Sequence, residues 1–297
     1  MEYINKSLAN KAHKLLKNFL DRCLSYNPYP SDLYEALRDD LEQDTILNPQ
    51  QERTYRLLLK WILEESRLLN DGLGDGEGYC CYCMRRICYK DTHSTLEHVI
   101  PKSIDQGDIY NKYYEISSNL EKDQHVMVPK RIFEDRHRSI APPCPHNVAY
   151  ENLIASCDGS LPKGSHSHRC CNGPRSDHFI PPLMFIRTIN NEIKYKKNGI
   201  VVWQDNLEVD KRERYKVITE ILKLNDEVLM SIRLIWNHLN ENGLDCNLKD
   251  AQRLKVIDTL RYNYSHISDV LQNFLQDSYW NLLDEYRYFS QKNRFTP

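Results

Sequence analysis

Residues 79–102 read YCCYCMRRICYKDTHSTLEHVIPK, and three cysteines fall within four positions at Cys80, Cys81 and Cys83. No other feature constrains the fold as much. The chain has ten cysteines in 297 residues, and eight of them lie between positions 79 and 190. A disulfide framework belongs to small secreted domains. Here the N-terminal MEYINKSLANKAHKLL is amphipathic and mixed in charge, so it reads as neither a signal peptide nor an anchor. No apolar run approaches the roughly 20 residues that span a bilayer. The expectation is a cytoplasmic protein whose cysteines are reduced or bind metal. Cys80 and Cys83 form a C-x-x-C knuckle, a common half of a tetrahedral zinc site. The other half must come from downstream, where the candidates are Cys157 and one of the doublet Cys170 and Cys171. A metal-free cysteine loop is the alternative, but the stretch is too polar to be held by a core of its own. Cys23 and Cys246 lie in helix-like sequence and read as small buried apolar residues.

On either side of this centre the patterning is helical. ANKAHKLLKNFLDRCL puts Ala12, Leu15, Leu16, Phe19, Leu20 and Cys23 on one face. PSDLYEALRDDLEQD carries a Pro-Ser-Asp start signal, and ERTYRLLLKWILEESRLLN an apolar stripe through Leu57, Leu58, Trp61, Ile62 and Leu69. The glycine cluster DGLGDGEG then ends the first region. Further on, EIKYKKNGIVVWQ with Asn198-Gly199 predicts a β-hairpin. Helical patterns return in RYKVITEILKLND, EVLMSIRLIWNHLNEN, DAQRLKVIDTLRYNY and DVLQNFLQDSYWNLLDEYRYF. The expected division is a helical region over 1–72, a cysteine-rich core with a long insertion over 73–190, and a hairpin with helices over 191–297. There is no internal repeat.

Glu97-His98 sits fourteen residues after Cys83. A histidine beside a carboxylate can act as general base while the carboxylate holds a hard divalent cation. Adjacent strand residues point to opposite faces, so both serve one site only at a bent strand end, where Pro101 fits. The plainer alternative is a surface ion pair. Asn152 in YENLIASC and Asn172 in CNGPR add a carbonyl oxygen suited to magnesium or manganese and an amide that can brace a loop.

In order, YCCYC, LEHVIPKS, ENLIASC and CCNGPR resemble the zinc-ribbon type of HNH endonuclease over about residues 79–180. The resemblance implies a ββα-metal core and an α+β fold in which that zinc-stapled core is embedded in mainly helical N- and C-terminal regions. It implies structural zinc on Cys80, Cys83, Cys157 and Cys171, the last favoured because the family's cysteine directly precedes its asparagine. It also implies His98 as general base, Glu97 and Asn172 as ligands of catalytic Mg²⁺ or Mn²⁺, and Asn152 as the brace that orients the histidine. Arg175 stands where the family has lysine, and Arg175 or His178 is the expected contact to the scissile phosphate. The thirteen residues between Cys157 and Cys171 and the insertion over 104–146 depart from the family pattern. His166, His168 and His178 are alternative ligands or phosphate-facing groups. The tail PPLMFIRTI…YKKNGIVV…LKLNDEVLMSIRLIW resembles HNH proteins of Septu-type anti-phage defence, including those found with retrons. That implies an ABC/SMC-like ATPase partner, with retron RNA/DNA and a reverse transcriptase as further candidates.

The net charge of −2 carries no global signature of nucleic-acid binding, so cations must be concentrated locally or supplied by a partner. KRIFEDRHRS and PKGSHSHR are the two candidate stretches. Tyr279, Trp280, Tyr286, Tyr288 and Phe289 read as helical core or a docking face, and the long helices as a shell for a partner protein. The expectation is a metal-dependent endonuclease acting on DNA or RNA. The rivals are a zinc-dependent nucleic-acid-binding module and an ATPase-regulating subunit without catalysis.

Overall fold

The computed structural model describes residues 4, 6–25, 32–39, 53–65, 72–99, 148–161, 169–175, 180, 189–203, 216 and 219–297. The insertion over 104–146, the stretch 162–168 and His178 lie outside the described residues. The protein is α+β, with helices gathered around small sheets.

Helix α1 (Ala9–Leu24) buries Ala12, Leu16, Phe19 and Cys23, the stripe its periodicity marks. Helix α2 (Leu33–Asp39) starts where Asp32 accepts the backbone N–H groups of Tyr34 at 3.0 Å and Glu35 at 3.1 Å. Helix α3 (Thr54–Glu65) buries Tyr55, Leu58, Leu59, Trp61, Ile62 and Leu63 and packs against α1, α2 and the strands of the centre. Lys11 Nζ lies 4.1 Å from the Trp61 ring centroid, its stem covering the α1–α3 seam.

The centre holds two antiparallel hairpins. Strand β1 (Glu77–Tyr79) pairs with β2 (Arg86–Cys88), and β3 (Ser94–His98) pairs with β4 (Leu153–Cys157). A single helical turn, α4 (Asn172–Arg175), follows. After α5 (Ile189–Glu192) come β5 (Ile193–Lys196) and β6 (Val201–Trp203). The turn between them has Gly199 at φ 84, and its N–H donates to Lys196 O at 2.9 Å. Glycine is required there, since a Cβ would stand 2.2 Å from Met230 O. Strand β7 (Phe295–Thr296) adds in parallel to β5, giving the order β6-β5-β7.

Helix α6 (Glu227–Glu241) opens with Asp226 accepting Val228 N–H at 2.9 Å and is buried on nearly every side. Arg233 in its middle donates to Gly199 O at 2.5 Å and Leu224 O at 2.6 Å, tying the helix to the hairpin turn. Helix α7 (Asp250–Asn263) is largely exposed. The stretch expected to be one last helix is broken into α8 (Ser268–Asn273), α9 (Asp277–Trp280), α10 (Leu282–Glu285) and a 3₁₀ turn over Arg287–Ser290. Its apolar residues explain the break. Tyr279, Trp280, Leu282, Leu283, Tyr286, Tyr288 and Phe289 are all buried, and at 100° per residue they would surround a straight helix. The breaks let successive short segments present these residues to the interior. One apolar cluster runs from Ile4 through the centre to Phe289, so the stripes of α1, α3 and α6 are covered within the chain itself.

Candidate metal centre and the acid–histidine strand

The turn from β1 to β2 is the cysteine knuckle. Cys80 N–H donates to Arg85 O at 2.7 Å, Met84 N–H donates to Cys80 O at 3.2 Å, and Met84 takes φ 65 to close the turn. Cys81 N–H donates to Ala155 O at 3.1 Å, which docks the knuckle on β4. Cys157 ends β4. Beyond it Gly159, at φ 78, allows the returning chain so close that a Cβ would meet Cys170 O at 1.9 Å. Cys170 N–H donates to Gly159 O at 3.1 Å, and Ser160 bridges Arg169, so the long loop has a paired stem. Cys171, at φ 54, turns the chain into α4, and its N–H donates to Leu222 O at 3.0 Å.

These turns bring the sulfurs of Cys80, Cys83, Cys157 and Cys171 within 4.8 Å of one another, all buried. Cys80 Sγ lies 3.7 Å from Cys171 Sγ, and Cys83 Sγ lies 3.7 Å from Cys157 Sγ. Disulfides are shorter, about 2.05 Å. A tetrahedron with Zn–S bonds of about 2.3 Å has sulfur edges of about 3.8 Å. The four-thiol group therefore has the donors, the burial and the spacing to hold a metal ion such as zinc. Cys170 Sγ stands 3.6 Å from Cys171 Sγ, on the side of Gly159 O. The C-terminal region closes over the group: Tyr286 Oη lies 3.7 Å from Cys83 Sγ, and Arg85 donates to Glu285 at 2.6 Å and to Ser160 O at 2.8 Å. Tyr286 reads from the sequence only as helical core or a docking face, and no local pattern marks Arg85.

The register of β3 and β4 pairs Glu97 with Ile154 and His98 with Leu153. One residue further Asn152, fully buried, accepts Val99 N–H at 2.9 Å through its backbone carbonyl, closing the end of the hairpin. Along β3 Thr95 and Glu97 share the more open face, while Leu96 and His98 share the buried one. The Thr95 hydroxyl donates to Glu97 Oε1 at 3.2 Å, and the Asn172 side chain stands near enough to the Glu97 carboxylate to favour its charged form. Burial pushes the Glu97 carboxyl up to about 7, against the pull of the Arg175 guanidinium 3.8 Å away. Glu97 and Asn172 are thus neighbours, and both residue types can offer oxygen to a hard cation.

His98 is buried on the other face, its imidazole 4.4 Å from the Tyr34 ring in an edge arrangement at 66°. Arg175 corrects the expectation of a phosphate contact. It is buried, donating to Tyr82 Oη at 2.8 Å, His98 O at 2.6 Å and Val99 O at 3.3 Å. The guanidinium faces inward because the carbonyls at the end of β3 need donors and Glu97 supplies the opposite charge. His178, the other expected phosphate contact, and His166 and His168, the alternative ligands, lie outside the described residues. No helix among the described residues is long and apolar enough to cross a membrane. Comparisons with protein-family models, curated proteins and solved structures find no match to this chain.

Proposed function

We propose that this chain is a metal-dependent endonuclease of the HNH type, hydrolysing phosphodiester bonds in DNA or RNA. The observation that carries the reading is the juxtaposition of Glu97 and Asn172, delivered by β3 and α4, directly beside the four-thiol group. In this reading the four thiolates hold structural zinc, which adds to the apolar packing of the short strands of the centre. A Mg²⁺ or Mn²⁺ ion on Glu97 and Asn172 would stabilise negative charge on the phosphoryl group and the leaving 3′ oxygen. His98, which faces the opposite side of β3 from Glu97, would take the proton of the attacking water once the strand end turns its imidazole toward the ion. Asn152 and Arg175, through the backbone at Val99 and His98, hold the strand end that carries it.

The resemblance to Septu-type and retron-associated proteins extends the reading to an anti-phage effector held in check by an ABC/SMC-like ATPase, with retron RNA/DNA and a reverse transcriptase as further members of the complex. The helices' apolar stripes are covered internally, so a partner would have to use exposed faces such as that of α7. The burial of His98 favours one alternative, a zinc-held nucleic-acid-binding or ATPase-regulating subunit without catalysis.

One assay separates these. The protein, alone and with the ATPase, is incubated with plasmid and RNA in Mg²⁺ or Mn²⁺. His98→Ala is expected to lower cleavage by about 10²–10⁴-fold at unchanged zinc content, and excess divalent ion restores Glu97→Ala or Asn172→Ala in part but not His98→Ala. A folded, zinc-bound His98→Ala protein that cuts at the wild-type rate overturns the mechanism.

A further inference from the structure

Strand β3 pairs on one side only among the described residues, with β4. Its outer edge would leave the backbone of Leu96 without a ladder partner. Two tyrosines from the N-terminal helices fill that edge. Tyr34 Oη donates to Leu96 O at 2.6 Å, and Leu96 N–H donates to Tyr55 Oη at 3.0 Å. The two rings meet edge-on with centroids 6.4 Å apart. Both tyrosines are buried, and both are held by helices, Tyr34 one residue into α2 and Tyr55 at the start of α3.

Leu96 is two residues before His98 and shares its strand face. The hydroxyl of Tyr34 therefore grips the strand at Leu96, and its ring covers the imidazole at 4.4 Å. Arg175 fixes the carbonyl of His98 at 2.6 Å. Backbone and ring are thus constrained by different residues.

We propose that Tyr34 is the positioning residue for His98: α2 supplies an aromatic wall that selects the imidazole orientation, and the same side chain anchors β3 through Leu96. This rests on the reading of His98 as general base. A base must aim one ring nitrogen at a water, and a misplacement of about 1 Å can cost about 10²-fold in rate. A tyrosine that served only as core would change stability and leave kcat alone.

The test uses the full chain with three substitutions. Tyr34→Leu removes the ring, and its kcat is expected to fall by about 10- to 10²-fold with KM little changed and zinc retained. Tyr34→Phe keeps the ring and is expected to restore most of the rate. The imidazole resonances of His98, assigned by their loss in His98→Ala, are expected to move in Tyr34→Leu and to stay near their wild-type positions in Tyr34→Phe. If Tyr34→Leu does not fold, Tyr34→Met, whose longer and more adaptable chain fills more of the gap without a ring, takes its place. A folded ring-less variant with wild-type kcat, or with unmoved His98 resonances, overturns the proposal. If wild type and His98→Ala are equally inactive, the nuclease reading fails. The resonances then decide the positioning claim alone.

Discussion

The cysteine centre and the region around α6 are solutions to opposite problems. The described centre is made of strands of three to five residues, tight turns and a single helical turn. Its innermost groups are thiols that lie at the spacing of ligands rather than of disulfides. The α6 region is an apolar core, with Leu234, Ile235, Trp236 and Leu239 buried and few loops around them. There the polar groups serve the apolar packing: Trp236 Nε1 donates to Leu283 O at 3.1 Å and Asn240 Nδ2 to Phe289 O at 2.9 Å. The comparison teaches that this chain has one continuous interior and two unlike sources of cohesion. Burial holds both ends, and at one of them four sulfur donors able to hold a metal ion are set into it.

The most severe way to break that contrast is to remove a ligand. With zinc as the bound ion, structural sites of this kind contribute on the order of 10 kcal/mol. Cys80→Ser, or chelation of the wild-type protein, is expected to expose the 79–175 stretch to protease while α6 remains helical. Limited proteolysis with circular dichroism reads this. Equal loss of both regions would show that the α6 core depends on the metal group, and no loss in a metal-free protein would dismiss zinc.

Trp236→Ala attacks the other side. It deletes a buried ring and its hydrogen bond, at a cost of about 3–5 kcal/mol. Thermal melting is expected to fall sharply while the zinc content of the folded fraction stays at one ion per chain. A smaller effect sharpens the view of the open face of β3. Because burial holds the Glu97 carboxyl near 7, a cation there competes with a proton below that pH. Affinity for Mn²⁺ is expected to weaken by up to about tenfold per pH unit below 7 and to level off above it, as calorimetry at pH 6 and 8 would show. The sign for folding is opposite. In the cation-free protein this raised carboxyl destabilises increasingly as pH climbs from 4.5 toward about 7, and Glu97→Gln removes that slope.

The helices α1, α2, α3 and α6 were legible because apolar spacing and an N-cap act within a few residues. Asp32 and Asp226 cap the helices that their positions announce. The Asn198-Gly199 turn was legible for the same reason, as only glycine fits at Gly199 against Met230. The last helical stretch was not: its composition is helical, but the chain is broken into short segments whose ends depend on packing against distant residues. In the candidate site, residue types carried the chemistry and left the geometry open. Arg175 had the charge of a phosphate contact and is turned inward by three acceptors. Tyr34 and Tyr55 left no local trace, and Tyr286 showed only as a core or docking aromatic, because each matters through a partner far away in the chain.

The sequence by itself determined the C-x-x-C knuckle, the acid–histidine pair and the helices on either side, since these depend on residues close along the chain. The family resemblance already favoured Cys171 over Cys170 and paired Glu97 with Asn172; tertiary structure alone decided how closely those groups approach and that His98 lies under Tyr34. Each of those outcomes depends on how strands and loops distant in sequence are brought together. Spacing along the chain restricts such closures without choosing among them; steric fit at turns such as Gly159 and buried hydrogen bonds such as those of Arg175 make the choice.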